Sequence, residues 1–463
     1  MQERWQNQEE ALQFALQHSS CMLDMDMGTG KTRVAIDTMF ARKDVYRVLV
    51  VCPKAIVPVW RQNLEKFAPI SGWVCWDEQK GSVKAKAESF EKWLHNTPAT
   101  KQIAVMNYDV VWRYPMGDMV LKGRFNMVVL DESHRAKAAG SKVSKYLAML
   151  GKRVQYKMCL SGTAMANSPL DVYGQYRFLD NTIFGTNHNQ FLQQYAIMGG
   201  PERRFVVGYK NQKELKEKFQ SIAYSCRMVD VVSRLKLPEY LPPVKRTVRI
   251  PGKDMTTSKK LAKEFKAECG FTGVVVAGNV LVKMLRLQQI AAGFCQVQDS
   301  PLEPKRTEEL NTAKEDTLVD MLQDLPSSTP VVVFCVFKHD LQAVARAAER
   351  AGRMVYEMSG MVNELEHWQF SEGAVLAVQI QAGAEGVDMT QANYAVYFSL
   401  PYSLALYEQS KARLYRPGQT RPVSFVHLIA EGTIDESIYK SLTKKKDIIE
   451  EIKGGTFDFG FIK

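Results

Sequence analysis

The 463-residue sequence predicts an α/β fold of two doubly wound parallel sheets, with helical insertions between them. Three observations carry that prediction. Short β-branched runs alternate with amphipathic stretches from the start of the chain to about residue 160. The same rhythm returns between residues 330 and 430. A glycine-rich turn, GTGK at 28–31, separates the first run from the helical pattern after it, at the strand end where such a sheet carries its ligand.

In the first half the strand-like runs are SCMLDM from residue 20, YRVLVVC from 46, GWVCW from 72, QIAVMN from 102, FNMVVLD from 125 and VQYKMCLS from 154. Residues 31–41, 56–67 and 82–95 place apolar side chains three and four apart among Lys, Glu and Gln, as helices lying on a sheet do. Between 180 and 300 the rhythm gives way to charged helical pattern, NQKELKEKFQ and TTSKKLAKEFKAE. The proline cluster LPEYLPPVK at 237–245 marks an inter-domain hinge. Strand-like runs resume with PVVVFCVF from 330, RMVYEM from 353, AVLAVQI from 374, NYAVYFS from 393 and VSFVHLI from 423. These observations divide the chain into a lobe over 1–242 with an insertion near 180–235, and a lobe over 243–463 with one near 253–295.

Composition narrows the class. With 46% hydrophobic and 24% charged residues and no apolar run near ~20 residues, the sequence is that of a globular chain without a membrane span. Its polar, acidic start, MQERWQNQEEALQ, is unlike a secretory leader, so a cytoplasmic address is expected. Eight cysteines lie far apart with no CxxC pair, which supports neither a disulfide framework nor a structural zinc. The 61 Lys+Arg against 50 Asp+Glu leave +11, a surplus that suits a polyanionic partner.

The segment DMDMGTGKTRVAID at 24–37 follows an apolar strand and opens an amphipathic helix. There the backbone of Gly28, Thr29 and Gly30 can approach phosphate oxygens, Lys31 can pair with the β and γ phosphates, and Thr32 can hold Mg²⁺. Met25 stands where the GxxxxGK[ST] pattern has its first glycine, so the loop is a variant. About a hundred residues later NMVVLDESH ends a strand in two carboxylates and a histidine. Asp131 is placed to position Mg²⁺ and Glu132 to polarise the attacking water of a phosphoryl transfer. His134, whose neutral ring can donate and accept at once, can link this region to LSGT, at Ser161, Gly162 and Thr163.

Taken together, DMGTGKT, DESH and LSGTAMANS at 160–168 resemble the core of superfamily two helicases and translocases, and their Swi/Snf-like branch fits best. VLVVCPKAIVPVWRQNLEKF at 48–67 and IAVMNYDVV at 103–111 are similar to the family's next two motifs, the first touching the tracked strand. AVQIQAGAEGVDMTQANYAVYFSLPYSLALYEQSKARLYRPGQTRPVSFVHLIAEGTIDESI resembles the branch signature over its whole length. CRMVDVVSRLKLPEYLP at 226–242 and LVKMLRLQQIAAGFC at 281–295 resemble segments flanking its inter-lobe insertions. The resemblance reaches from residue 1 to about 452 and implies two RecA-like lobes, a bare motor. It also implies ATP and Mg²⁺ as cofactors.

By resemblance, Gln6 is the adenine contact, Gly386 and Asp388 belong to the nucleotide site, and Arg413 and Arg416 are arginine fingers, Arg416 for the γ-phosphate. Gln409, Arg413 and Arg416 fall at i, i+4 and i+7 of a single helical face. Ser133, Ala164, Met165 and Asp388 depart from the usual family residues, and the stretch 357–373 is shortened against the family pattern, which puts one helix of the second lobe in question. Trp60 and Trp112 read either as base-stacking aromatics or as core. The lysines at 444–446 read as a phosphate contact or a solvated helix end.

The implied activity is DNA-dependent ATP hydrolysis that drives translocation on duplex DNA, remodelling protein–DNA complexes or forks and branch points. The expected partner is DNA, duplex or branched, held through its phosphates, with RNA left open. A monomer suffices for tracking one strand, and a recruiting protein would supply the address. Two rivals stand beside this reading: a strand-separating or branch-migrating helicase, and a nucleotide-gated binding module, against which Glu132, Arg413 and Arg416 argue.

Overall fold

Near-continuous apolar runs of the kind found here suit strands buried on both faces, which is how parallel sheets occur. The computed structural model describes residues 3–453 apart from 79–80, 96–100, 166, 200–204, 229, 232–236, 265, 270–272, 277–279, 298–305 and 384–386. The chain divides into two units, Met1–Arg234 with Lys445–Lys463, and Leu235–Lys444.

The first unit is built on β1 (Ser20–Met25), β2 (Arg47–Cys52), β3 (Trp73–Asp77), β4 (Lys101–Asn107), β5 (Met127–Asp131), β6 (Tyr156–Leu160) and β7 (Ala223–Cys226), in the order β3-β4-β2-β5-β6-β1-β7. Every pairing is parallel. All five residues of β5 are buried. The helices α1 (Gln6–Gln17), α2 (Lys31–Ala41) and α3 (Val57–Phe67) cover this sheet with others. Leu160 of β6 pairs with Leu23 of β1 on one side and with Asp131 of β5 on the other. The loops leaving these three strands therefore emerge side by side at one edge, and this edge holds the site.

The second unit contains β8 (Val244–Val248), β9 (Val331–Cys335), β10 (Val355–Met358), β11 (Val375–Gln379), β12 (Tyr394–Tyr397) and β13 (Ser424–Ala430), in the order β8-β13-β12-β9-β11-β10. This sheet is also wholly parallel. Its core packs Val331, Val333, Val375, Ala377 and Val396 against Leu341, Val344 and Ala347 of the helix Lys338–Arg350. Beneath the GTIDE segment, Asp435 meets Lys314 at 2.6 Å, both side chains almost fully buried. Lys314 also donates to the Phe398 carbonyl at 2.9 Å, so the buried ammonium has two acceptors. The architecture is thus the two parallel-sheet lobes that the sequence predicts.

Two strands escape the patterning. β7 is four residues long, and four of the five residues of β8 (VKRTV) are exposed, so neither shows a buried face in sequence. Residues 357–373 hold a five-residue helix, Leu365–Gln369, anchored by the fully buried Trp368, whose indole donates to the Ala374 carbonyl. Cys295 is disulfide-bonded, which the cysteine spacing gave no sign of, while Cys21, Cys52, Cys75, Cys159, Cys226 and Cys335 are free thiols. Among the described residues no helix is long and apolar enough to cross a membrane.

Candidate active site

The chain leaves β1 at Met25 and turns into α2 through Gly28 and Gly30, whose φ values of 84° and 94° are left-handed. The loop closes on itself through Thr29, whose hydroxyl donates to the Asp26 carbonyl at 2.7 Å. Asn7 of α1 donates to the Thr29 carbonyl at 3.0 Å. Gln8 lies against Gly30 so closely that a Cβ there would stand 2.1 Å from its amide nitrogen. A side chain at position 30 would have to displace the Gln8 amide and would be strained by the φ of 94°. Gln6, by contrast, is exposed, and its amide donates to Glu10 at 2.8 Å. The structure does not bring Gln6 to the loop. The helical period turns Asn7, Gln8, Ala11, Leu12 and Ala15 inward, and position 6 falls on the outer face.

At the end of β5, Asp131 is buried and every oxygen is engaged. Oδ2 accepts the Trp60 indole N–H at 2.8 Å, Oδ1 accepts the Glu132 N–H at 3.0 Å, and the carbonyl accepts the Tyr108 hydroxyl at 2.8 Å. Trp60 is fully buried on α3, so its place is the core, with its polar edge aimed at the site. Burial first, and then the neighbouring Glu132 charge, push the Asp131 carboxyl up to about 6, against the opposing pull of Lys31 and the indole hydrogen bond. Glu132 follows at φ 48°, a left-handed conformation uncommon for a residue with a side chain. That conformation sets Oε1 4.0 Å from Lys31 Nζ and Oε2 3.4 Å from His134 Nδ1.

The third loop leaves β6. His134 Nδ1 stands 3.5 Å from the Ser161 hydroxyl and 3.3 Å from that of Thr163, while Thr163 N–H donates to Ser161 Oγ at 3.0 Å. Gly162 presses on the phosphate loop: a Cβ there would lie 3.2 Å from both the Met25 carbonyl and the Met27 nitrogen. Ser133 is buried and donates to Gln175 at 2.6 Å, and Gln175 in turn donates to the Ala164 carbonyl at 2.6 Å. Ala164 and Met165 are buried, so these departures from the family residues are packing positions. Lys31, Asp131, Glu132, His134, Ser161, Gly162 and Thr163 thus share one sheet edge.

Sequence reasoning missed a further support. β7 delivers Arg227 beside the phosphate loop, where it meets the fully buried Asp24 and sits 3.3 Å from Asp26 Oδ1. Met228 N–H donates to Asp26 Oδ2 at 2.9 Å. The two carboxylates hold the Arg227 guanidinium above its ordinary range against the opposing effect of burial. The signals were Asp24, a carboxylate inside an otherwise apolar buried strand, and Asp26 just beyond its end.

In the second unit the helix Leu404–Lys411 stops before the arginines, and Arg413 and Leu414 donate their N–H groups three residues back. The single helical face expected for Gln409, Arg413 and Arg416 is therefore not formed. Pro417 and Gly418, whose φ is 106°, complete the turn. Gln409 and Arg413 are buried, and Arg416 Nη1 donates to the Val387 carbonyl at 3.2 Å. Asp388 accepts the Thr390 N–H and hydroxyl at 2.9 and 2.8 Å, while Gly386 lies outside the described residues. The Gln419 amide knits the two segments, donating to the carbonyls of Thr390, Ala392 and Leu414.

Residues 1–256 match the SNF2-related domain and residues 313–418 the helicase conserved C-terminal domain. The chain is 24% identical over 467 residues to the DNA annealing helicase and endonuclease ZRANB3 of Bos taurus, covering 95% of this chain and 40% of that protein. It is 22% identical to the putative ATP-dependent helicase/translocase YwqA of Bacillus subtilis, covering 94% of this chain and 46% of that one. The chain therefore spans less than half the length of these relatives. Putative protein p41 of Acyrthosiphon pisum secondary endosymbiont phage 1 is 24% identical, with 94% of each chain covered. A solved SWI2/SNF2 ATPase core of Sulfolobus solfataricus in complex with dsDNA aligns at a TM-score of 0.45 and 19% identity, over 97% of this chain and 93% of that one. With more than half of its 463 residues inside the first match, the chain belongs to the SNF2-related family.

Proposed function

We propose that this chain is an intracellular ATP-hydrolysing motor that translocates on duplex DNA and remodels protein–DNA complexes or forks. The observation that carries the reading is the meeting of three loops at one sheet edge: a phosphate loop with Lys31, the Asp131–Glu132 pair, and Ser161–Thr163 joined to Glu132 through His134. The family membership and the relatives' names support it.

Lys31 and the N–H groups at the start of α2 bind the β and γ phosphates, and Lys31 exchanges its contact with Glu132 for one with the nucleotide. Glu132 then orients the attacking water and accepts its proton as the terminal phosphoryl group leaves the β-phosphate oxygen. Gln8, against Gly30, is better placed than Gln6 to read the adenine edge. Among the described residues no three metal-ligating side chains cluster, which fits an ion held by one or two protein oxygens together with phosphate and water. Thr32 and Asp131 are hard oxygen donors of that kind. Mg²⁺ bound there would neutralise developing phosphate charge. In the second unit we assign Arg413 and Arg416 as arginine fingers, with Arg416 for the γ-phosphate.

His134 touches both Glu132 and the Ser161–Thr163 loop, so loss of the γ-phosphate at Glu132 is transmitted to the exit of β6. Steady-state hydrolysis without nucleic acid and with single-stranded DNA, blunt duplex, branched DNA and duplex RNA at one salt concentration tests the reading. Strong stimulation by DNA containing duplex is expected, with Glu132→Gln binding ATP but not turning it over. No stimulation by any nucleic acid refutes the motor. Unchanged turnover in Glu132→Gln removes its role.

A further inference from the structure

The loop leaving β4 emerges on the same sheet edge, two strands from Asp131, and is tied to it by the Tyr108 hydroxyl. Its backbone is held rigidly. Asn107 Oδ1 accepts the N–H groups of Asp109 and Val110 at 2.7 and 3.1 Å. Gly117 N–H donates to the Arg113 carbonyl at 2.8 Å, and a Cβ at Gly117 would stand 2.7 Å from the Trp112 carbonyl oxygen. Tyr146, from the helix that begins at Lys142, donates its hydroxyl to the Gly117 carbonyl at 2.7 Å.

On this rigid turn Trp112 is half-buried, and two cations approach its ring: Arg113 at 5.4 Å and Lys142 at 5.6 Å from the centroid. Both cations are exposed, and among the described residues neither is paired with a carboxylate. Beside them the Tyr114 ring is 81% exposed. An exposed aromatic ring on this hydrogen-bonded turn, next to two cations unpaired among the described residues, has the chemistry of a single-strand platform, with phosphates on the cations and a base on the ring.

We propose that Trp112, Arg113, Tyr114 and Lys142 form a stacking surface for an unpaired base of DNA, so that the motor engages DNA where a strand leaves the duplex. The inference rests on the DNA-motor reading above and narrows its substrate to forks and branches. Trp112 anchors the two cations, which take the phosphates of the departing strand. Tyr114 takes the base.

The test uses the full chain and three DNAs of equal duplex length at one moderate salt concentration: a blunt duplex, a fork with normal single-stranded arms, and a fork whose arms carry abasic sites. Abasic arms keep the phosphates and remove the rings. Binding by fluorescence anisotropy should favour the normal fork over the abasic fork by roughly tenfold, the range of one stacked base. Tyr114→Ala should erase that preference, Tyr114→Phe should keep it, and both should leave blunt-duplex affinity and DNA-free hydrolysis unchanged. Equal wild-type affinity for normal and abasic forks overturns the proposal, as does a preference that survives in Tyr114→Ala. Failure of every DNA to bind or stimulate refutes instead the reading on which it rests.

Discussion

Trp60→Phe separates the positioning of Asp131 from its presence. The substitution keeps an aromatic ring in a fully buried position on α3 and removes one group, the indole N–H that donates to Asp131 Oδ2 at 2.8 Å. A hydrogen bond to an ionised partner contributes about 1.5–3 kcal/mol, which at 1.36 kcal/mol per decade is roughly 10- to 150-fold. Oδ1 keeps the Glu132 N–H at 3.0 Å, so the carboxylate remains in place on one side and is free to rotate on the other. Burial already pushes its pKa up to about 6, and losing a donor to the ionised form moves it further in that direction. The half-saturating Mg²⁺ concentration for hydrolysis should therefore rise tenfold or more. Turnover at saturating Mg²⁺ should recover, and nucleotide binding without metal should not change. A stability loss of about 1–2 kcal/mol from the smaller ring is expected besides and does not bear on the metal titration. Superimposable Mg²⁺ titrations, or a loss of turnover that no Mg²⁺ concentration restores, refute the reasoning.

Three more expectations follow from the geometry. Gln8→Ala should raise the KM for ATP about tenfold or more while Gln6→Ala leaves it within twofold, because Gln8 lies on Gly30 and Gln6 is bonded to Glu10 at the surface; equal effects would return the base contact to position 6. Arg416→Ala should lower kcat by about 10³-fold, the scale of an arginine finger, and a tenfold loss or less would leave it the structural role of its contact with the Val387 carbonyl. His427 is buried beside Tyr407, and burial, followed by the Lys411 charge, pushes it down to about 3. A depressed histidine stabilises the fold above its ordinary pKa near 6.5 and loses that contribution as pH falls, about 2 kcal/mol by pH 5. Denaturant unfolding of wild type and His427→Phe should therefore converge by that amount between pH 7 and 5, and parallel pH curves would sink the assignment.

Much of this molecule is legible in its sequence because parallel strands and covering helices obey periods that a chain displays openly. The buried runs of β1, β2, β4, β5 and β6 are contiguous apolar text, and each chemical segment follows one of them, at 26–32, 131–134 and 161–163. What failed to show is what the periods do not encode. β7 is too short to reveal a buried face, so Arg227 could not be placed beside Asp24 and Asp26 before the fold brought together residues two hundred positions apart. Trp60 reads as core and is core, yet its one polar atom faces the Asp131 carboxylate across 71 residues.

The glutamines carry the same lesson inside a single helix. Gln6 and Gln8 stand two residues apart, about 200° around an α-helix, so one faces the phosphate loop and the other faces water. Deciding between them needed only the inward stripe of Ala11, Leu12 and Ala15, to which position 8 belongs at three, four and seven residues and position 6 does not. The arginines invert the case. Spacing put Arg413 and Arg416 on one helical face with Gln409, but the chain abandons the helix at Lys411, ahead of Pro417 and Gly418. The turn that carries them is held instead by Gln419, whose buried amide donates to the Thr390, Ala392 and Leu414 carbonyls, and by the Arg416 contact with Val387. A spacing argument is safe only as far as the secondary structure it assumes, and the Pro-Gly pair directly after Arg416 is the signal that the assumption has ended.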